Sequence, residues 1–440
     1  MNAAPGALIA LMLLAAPAVA QTPYVAAPPL EPGIGVCAAG LCQPEALIPF
    51  FEAIAAPETG EAAPVHIVQI GDSHTAGDRI TGKMRADLQA RFGAGGRGVL
   101  PPGVPYAGYA PYQVEVAAEG WTTEVAPLVA SGVNAFGPFG ASGVRGRLAA
   151  GDVLDLRFDP RSEPAWLVVC GWPRGPGAGL MVELNAEARM VDLNAVGNGG
   201  AACVSLPQFK RSVSTIRLRG IGAGVTLSSV LTARDGSDLK VSEAWTARVR
   251  PGVLVSNLGV IGSTLADFAS RDEAMVAAEM AEWAPKLIVL AYGTNDGFDD
   301  GLDAVAYEAL LRGQIARLRR LAPGAALMVL GAPDALRGGV TGGCSADGMR
   351  SPPPKLAVVR DVQRRVAADL GVAFWDWHGR MGGDCSADRL ALGAEPLMRG
   401  DRVHFTSAGA DWIGGILSGD LMGAYDRWKA EHAVEPGSAE

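Results

Sequence analysis

The strongest constraint on this chain is a rhythm that stops and restarts. The apolar run "VHIVQI" (65–70) leads through a tight polar turn into a helical stretch ending near Phe92. After Pro251 the same alternation resumes, with the runs "GVLVSNLG", "KLIVLAYG", "ALMVLGAP" and "VAFWDW" set among helical stretches such as "AVAYEALLRGQIARLRRL" and "KLAVVRDVQRRVAADLG". Tyr307, Leu311, Ile315 and Leu318 recur at helical spacing in the first of these. Buried strands alternating with amphipathic helices predict a parallel sheet covered on both faces. From about Gly93 to Pro251 the pattern differs: Gly and Pro are dense, and short runs such as "DVLDLRF", "AWLVVCGW", "STIRLRG" and "GVTLSSVLTA" follow one another without a helical period. Such runs predict a β-sandwich-like module. The expectation is one α/β/α domain in two segments, 62–95 and 251–426, interrupted by an all-β insert at 96–250.

The ends read differently from the body. "ALIALMLLAAPAVA" closes on a small-x-small pattern, which predicts a signal peptide over residues 1–20 cut after Ala20. The run is too short for a membrane-spanning helix, and Cys37 lies too far beyond the cut to be a lipid-anchored first residue. Residues 21–61 are expected to be an N-terminal linker or extension, Pro-rich at "QTPYVAAPPLEPG", and 427–440 a frayed tail. Six cysteines in an exported chain suggest disulfides. Their positions favour local pairing, Cys37 with Cys42, Cys170 with Cys203 and Cys344 with Cys385, among about 15 possible arrangements. The formal charge of −9 argues against a nucleic-acid partner and gives no steering towards an anionic polymer. No CxxC pair is present, and the five histidines show no metal-ligand spacing, so neither a metal nor another cofactor is expected.

Open parallel sheets place their sites at the carboxyl ends of strands. Four such positions carry polar residues: Ser73 in "IGDSHTAGD", Gly259 and Gly262 in "NLGVIGST", Asn295 in "YGTND", and Asp401 with His404 in "DRVHFT". A Ser at a strand-to-helix turn is more often a cap than a nucleophile. The other three blocks supply what a nucleophile needs. A serine requires a histidine base, the base requires a carboxylate on its second nitrogen, and the developing oxyanion requires aimed donors. The Ser73 and Gly262 N–H groups and the Asn295 amide can fill that last role.

At these residues the sequence resembles the SGNH (GDSL-type) hydrolases: GDSH at Ser73, a glycine in the second block, G-x-N-D from Gly293 to Asp296, and D-x-x-H from Asp401 to His404, in the family's order. The resemblance covers roughly 62–95 and 252–426. It implies a flavodoxin-like three-layer fold, with Ser73, Asp401 and His404 catalytic and Ser73, Gly262 and Asn295 forming the oxyanion hole. Gly262 rather than Gly259 depends on where the second block is placed. The longer string "QIGDSHTAGD", with the β-rich insert, is similar to bacterial peptidoglycan O-acetylesterases, whose hydrolase domain is interrupted by a carbohydrate-binding-type module. That resemblance implies an exported, periplasmic or secreted serine esterase acting on an O-acetylated glycan, removing the C6 O-acetyl of N-acetylmuramic acid. An O-acetyltransferase, or another carbohydrate or lipid esterase, would use the same residues. A non-catalytic wall-binding protein would have no need of the full set.

Other residues have plainer readings. His74 is expected to wall or support the site, and Asp72 and Asp296 to hold their loops. His66 reads as a core histidine, and His378 and His432 have no partners in motif spacing. The insert's Trp121, Trp166, Trp172 and Trp245 are expected mostly to pack its core. Tyr106, Tyr109 and Tyr112 sit in a Pro-bounded loop and either wall a groove or simply pack.

Overall fold

The computed structural model describes residues 37–59, 64–133, 137–175, 177–185, 187–197, 199–206, 209, 213–234, 252–339, 343–345 and 347–432. The predicted signal peptide, the Pro-rich stretch 21–33, Trp245 and residues 433–440 of the expected tail lie outside them.

Five strands form the predicted parallel sheet. Their spatial order is Ala373–Trp375, Ala326–Leu330, Leu287–Ala291, Val65–Gly71 and Val253–Gly259. By chain order this is 2-1-3-4-5, the flavodoxin-like arrangement, so the order reverses between the Val65 and Leu287 strands, where a crevice opens. Every residue of Leu287–Ala291 and Ala326–Leu330 is buried, as a sheet covered on both faces requires. Tyr307, Leu311, Ile315 and Leu318 are buried on the helix Ala304–Leu321.

The N-terminal segment is the main departure from expectation. Residues 37–59, read as part of a linker or extension, belong to the α/β domain. Cys37–Ala38 and Leu41–Cys42 form a hairpin that adds antiparallel to Ala373–Trp375 at the sheet edge. The helix Ile48–Thr59 follows, and Leu47, Phe50, Phe51 and Ile54 bury themselves against the long helix Ser407–Glu431 and the sheet. Their spacing (i, i+3, i+4, i+7) is an amphipathic signal that the neighbouring prolines obscured. The last helix also runs on through Glu431, into the segment expected to fray.

The insert is all antiparallel. One sheet orders Glu187–Val191, Gly179–Leu184, Thr215–Ile221, Val153–Phe158 and Val114–Glu119. The other orders Ala202–Leu206, Trp166–Pro173, Val225–Ala233, Val144–Leu148 and Thr122–Val125, with Gly98–Leu100 also paired to Val225–Ala233. Leu154, Leu156, Val182 and Leu218 of the first sheet share a core with Leu167, Val169, Leu227 and Val230 of the second, a sandwich in cross-section. Trp121 is buried there and donates to the Pro102 carbonyl, whereas Trp166 and Trp172 are only half-buried.

The outer face of the second sheet packs on the hydrolase core. Val168, Cys170 and Leu231 join the same apolar cluster as Met275, Val276 and Met280 of the helix Glu273–Trp283. At that seam Glu279 is fully buried and accepts from the Ala141 amide (2.8 Å), Ser228 Oγ (2.6 Å) and Ser229 Oγ (2.7 Å). Burial pushes its carboxyl above the usual carboxylate range, against the pull of those three donors. All three disulfides pair as the spacing favoured: Cys37–Cys42, Cys170–Cys203 and Cys344–Cys385. Among the described residues no helix is long and apolar enough to cross a membrane.

Candidate active site

In the turn after the Val65 strand, Ser73 is not the helix cap. The cap of the following helical turn, Ser73–Ala76, is Asp72, whose Oδ1 accepts from the His74 amide at 2.9 Å. Ser73 is the first residue of that turn, which leaves its hydroxyl free for other work. Two buried amides hold the turn in place: Gln69 Nε2 donates to Thr75 Oγ1 (3.0 Å) and Asn257 Nδ2 to the Thr75 carbonyl (2.8 Å). With only one turn of helix, what is available to an anion is the Ser73 N–H itself; among the described residues it has no protein acceptor.

The structure brings Ser73, His404 and Asp401 into one line. Ser73 Oγ lies 3.0 Å from His404 Nε2, and His404 Nδ1 lies 2.9 Å from Asp401 Oδ2. Asp401 Oδ1 accepts from the Val403 and His404 amides at 2.9 and 3.0 Å, so one carboxylate both shapes the loop and orients the imidazole. Partial burial pushes the Asp401 carboxyl up, but the His404 amide and ring and the Val403 amide outweigh it and hold the group below the usual carboxylate range. The loop is anchored from outside as well. The Leu336 amide donates to the Arg402 carbonyl, and Arg402 Nε pairs with Asp388 at 3.0 Å.

Asn295, at the end of the Leu287 strand, donates from Nδ2 to the Ser263 carbonyl at 2.9 Å, joining the second and third blocks. One Nδ2 proton is used there, and the amide carries a second. The two glycines of the second block do different jobs. Gly259 ends its strand against the Ser73 turn, where a Cβ would lie 2.1 Å from the Ala76 nitrogen. Gly262 sits in the turn beyond with φ +78°, the left-handed region that favours glycine, and its N–H has no protein acceptor among the described residues. Asp296 Oδ1 accepts from the Leu265 amide (3.2 Å), while Oδ2 is buried without a partner. Burial pushes this carboxyl up to about 7.

His74 does more than wall the site. Its Nδ1 lies 3.2 Å from Asp72 Oδ1 and its Nε2 lies 2.9 Å from the Val403 carbonyl. Both partners are acceptors, so only the doubly protonated ring satisfies both. Burial disfavours that charge, but the adjacent Asp72 carboxylate and the two hydrogen bonds raise the pKa above the ordinary histidine value. The tie to Val403 carries no sequence signal, because it spans 329 positions.

A groove of about 430 Å³ opens beside Ser73, lined among others by His74, Arg79, Tyr106, Ile261, Arg399 and His404. Tyr106 Oη donates to the Ala76 carbonyl at 2.6 Å, placing a residue of the insert region in the groove wall. Tyr109 is half-buried with its hydroxyl enclosed, and Tyr112 is exposed against Arg79, so the three tyrosines divide between the two readings. His66 is a core residue, bonded to the Trp283 carbonyl and Ser256 Oγ. His378 does have a partner, Asp384 at 2.9 Å, with Asp334 beside them and the Arg360 guanidinium 3.8 Å from the same Asp384 oxygen. Spacing alone could not reveal that cluster.

A serine, a histidine and an aspartate in one hydrogen-bonded line, on a flavodoxin-like sheet, is the arrangement of an SGNH-type carboxylic-ester hydrolase. Residues 221–412 match the GDSL-like Lipase/Acylhydrolase family, so the chain carries a domain of that kind. The match takes in the Gly262, Asn295 and Asp401–His404 blocks, with Ser73 upstream of it. Among solved structures, a peptidoglycan O-acetylesterase is similar at TM-score 0.70 and 22% identity, over 86% of this chain and 96% of that one; the likeness shows a common fold. A family two carbohydrate esterase from Clostridium thermocellum, solved with cellohexaose, aligns at 11% identity over 64% of this chain and 94% of that one, with TM-score 0.28. An acetyl xylan esterase aligns at 18% identity over 40% and 83%, with TM-score 0.29. No curated protein matches the chain.

Proposed function

We propose that the protein is an exported serine esterase that removes O-acetyl groups from a cell-wall polysaccharide, namely the C6 O-acetyl of N-acetylmuramic acid in peptidoglycan. The observation that carries the reading is the unbroken line from Ser73 Oγ through His404 to Asp401 at hydrogen-bond distances. His404 Nε2 takes the Ser73 proton as Oγ attacks the ester carbonyl. The negative charge on the carbonyl oxygen meets the N–H groups of Ser73 and Gly262 and the free proton of Asn295 Nδ2. His404 then gives that proton to the departing sugar oxygen, leaving acetyl on Ser73. Afterwards it takes a proton from the attacking water and passes it to Ser73 Oγ as acetate leaves.

Two observations support the glycan assignment. The peptidoglycan O-acetylesterase aligns over 86% of this chain, more than the two hydrolase segments alone contain, so the likeness extends into the insert. Three disulfides suit a chain that works in an oxidising compartment, as export to the cell wall requires. The test is acetate release from O-acetylated peptidoglycan by wild type and by Ser73→Ala. Release by the wild type and none by the variant is expected; full release by the variant ends the reading.

A further inference from the structure

Two arginines stand in the groove beside Ser73 with no carboxylate partner among the described residues. Arg79 Nη1 donates to Tyr112 Oη at 2.6 Å, and the guanidinium lies 5.3 Å from the centre of that ring. Arg399 Nε donates to the Phe405 carbonyl at 3.1 Å. Each side chain is thus pinned through one nitrogen while its other N–H groups face no protein acceptor. Several surface arginines are instead neutralised, Arg157, Arg217, Arg337 and Arg365 by Glu115, Asp155, Asp300 and Glu308, while Arg319 and Arg389, away from the groove, donate to carbonyls. Among the described residues no Asp or Glu lines the groove. A chain of net charge −9 therefore presents two arginines and no described acid in the groove at Ser73.

We propose that this groove contains a carboxylate subsite, in which Arg79 and Arg399 bind an anionic group on the same substrate molecule whose ester carbonyl sits at Ser73. The inference rests on the O-acetylesterase reading and deepens it: the acetylated unit is an acidic one. Guanidinium forks match a carboxylate in two parallel hydrogen bonds, which fixes orientation as well as adding attraction. A muramic acid unit offers such a carboxylate from either of two sources, its own lactyl group or an acidic peptide attached there.

The experiment compares kcat/KM on two matched sets. The first is 3-acetoxybenzoate and its uncharged amide. The second is a 6-O-acetylated muramyl saccharide with the lactyl group free, amidated, or extended by a dipeptide ending in glutamate. Wild type should favour the charged member by about tenfold at low salt in at least one set, the size expected of charge-assisted pairs open to solvent. In Arg79→Gln and Arg399→Gln that ratio should fall towards unity, and the Lys variants should retain part of it. Preference for the free lactyl acid places the carboxylate on the sugar; preference for the dipeptide alone places it on the peptide. Equal rates across both sets, or a ratio that survives both Gln substitutions, overturns the subsite while leaving the esterase reading intact. Charge preference on the benzoate pair with no release from any muramyl member keeps the subsite and overturns the peptidoglycan assignment.

Discussion

His74 Nε2 donates to the Val403 carbonyl oxygen across 2.9 Å, joining the residue after the proposed nucleophile to the residue before the proposed base. Because Nδ1 faces Asp72, the bridge is complete only when the ring is an imidazolium. His74→Gln keeps one donor and loses the charge. We expect kcat/KM on an aryl acetate to fall roughly 10- to 100-fold, the scale for small misplacements of reacting groups. The pH dependence of stability provides a separate check. The folded pKa is raised, so the stabilisation is full below the ordinary value of 6.5 and is lost as pH rises through the folded pKa above it. Melting temperatures of wild type and variant should therefore converge as pH rises through that folded value. A gap that stays constant with pH would show that His74 contributes through shape alone.

Asp401→Asn separates the two tasks of that carboxylate. The Asn oxygen can still accept from the Val403 and His404 amides, but its NH₂ faces His404 Nδ1 in place of an acceptor. That favours the tautomer with a proton on Nε2, which cannot take one from Ser73. The loss in kcat should be roughly 10²- to 10⁴-fold with little change in melting temperature. Steady-state kinetics and slowed labelling by a fluorophosphonate probe check it, and wild-type kcat in the variant would remove Asp401 from the mechanism.

Much of the site was legible because three of its four blocks follow strands of the parallel sheet, which delivers those ends to one edge. The fourth, Asp401–His404, just precedes the cap of the helix Ser407–Glu431. Ser73, Asn295 and the Asp401–His404 pair could be named from local pattern alone. The His74–Val403 bridge could not, since it depends on two loops meeting after the sheet is built. Net charge is likewise silent on the groove: −9 is a sum over the whole chain, while the groove beside Ser73 has Arg79 and Arg399 and no Asp or Glu among its described lining residues. In the fold, the parallel sheet was legible in the strand–helix alternation, but the order of its strands was not. Nor was the Cys37–Cys42 hairpin, because two-residue strands carry no period and gain their place only by pairing with Ala373–Trp375.

Asn295→Ala tests the oxyanion assignment. It removes a donor and also the bond to the Ser263 carbonyl that sets the position of the Gly262 turn. The expected cost is about 10²- to 10³-fold in kcat, with KM changed far less, as for loss of a single preformed oxyanion donor. Single-turnover acylation rates are the direct measurement. A variant that raises KM and leaves acylation untouched would make Asn295 a substrate-binding group instead.

Asp78→Asn addresses what holds the Ser73 turn to the rest of the molecule. The carboxylate is fully buried and accepts from Thr81 Oγ1 (2.8 Å), Arg85 Nη2 (2.7 Å), Arg97 Nη2 (2.8 Å) and the Tyr112 amide (3.0 Å). Burial alone would raise its pKa, but Arg85 and Arg97 outweigh burial and lower it. Its stabilisation is therefore present above the ordinary value of 3.8 and lost as pH falls through the still lower folded pKa. Neutralising it leaves two arginines buried without a counter-charge, and burial already depresses Arg97 to about 10. The expected loss is about 3–5 kcal/mol at neutral pH, read from urea midpoints. The gap to wild type should shrink in acid below about pH 4, where the carboxylate of the unfolded chain begins to be protonated ahead of the native one. A neutral-pH loss under about 1 kcal/mol would mean that Arg85 and Arg97 find other acceptors once Asp78 is neutral.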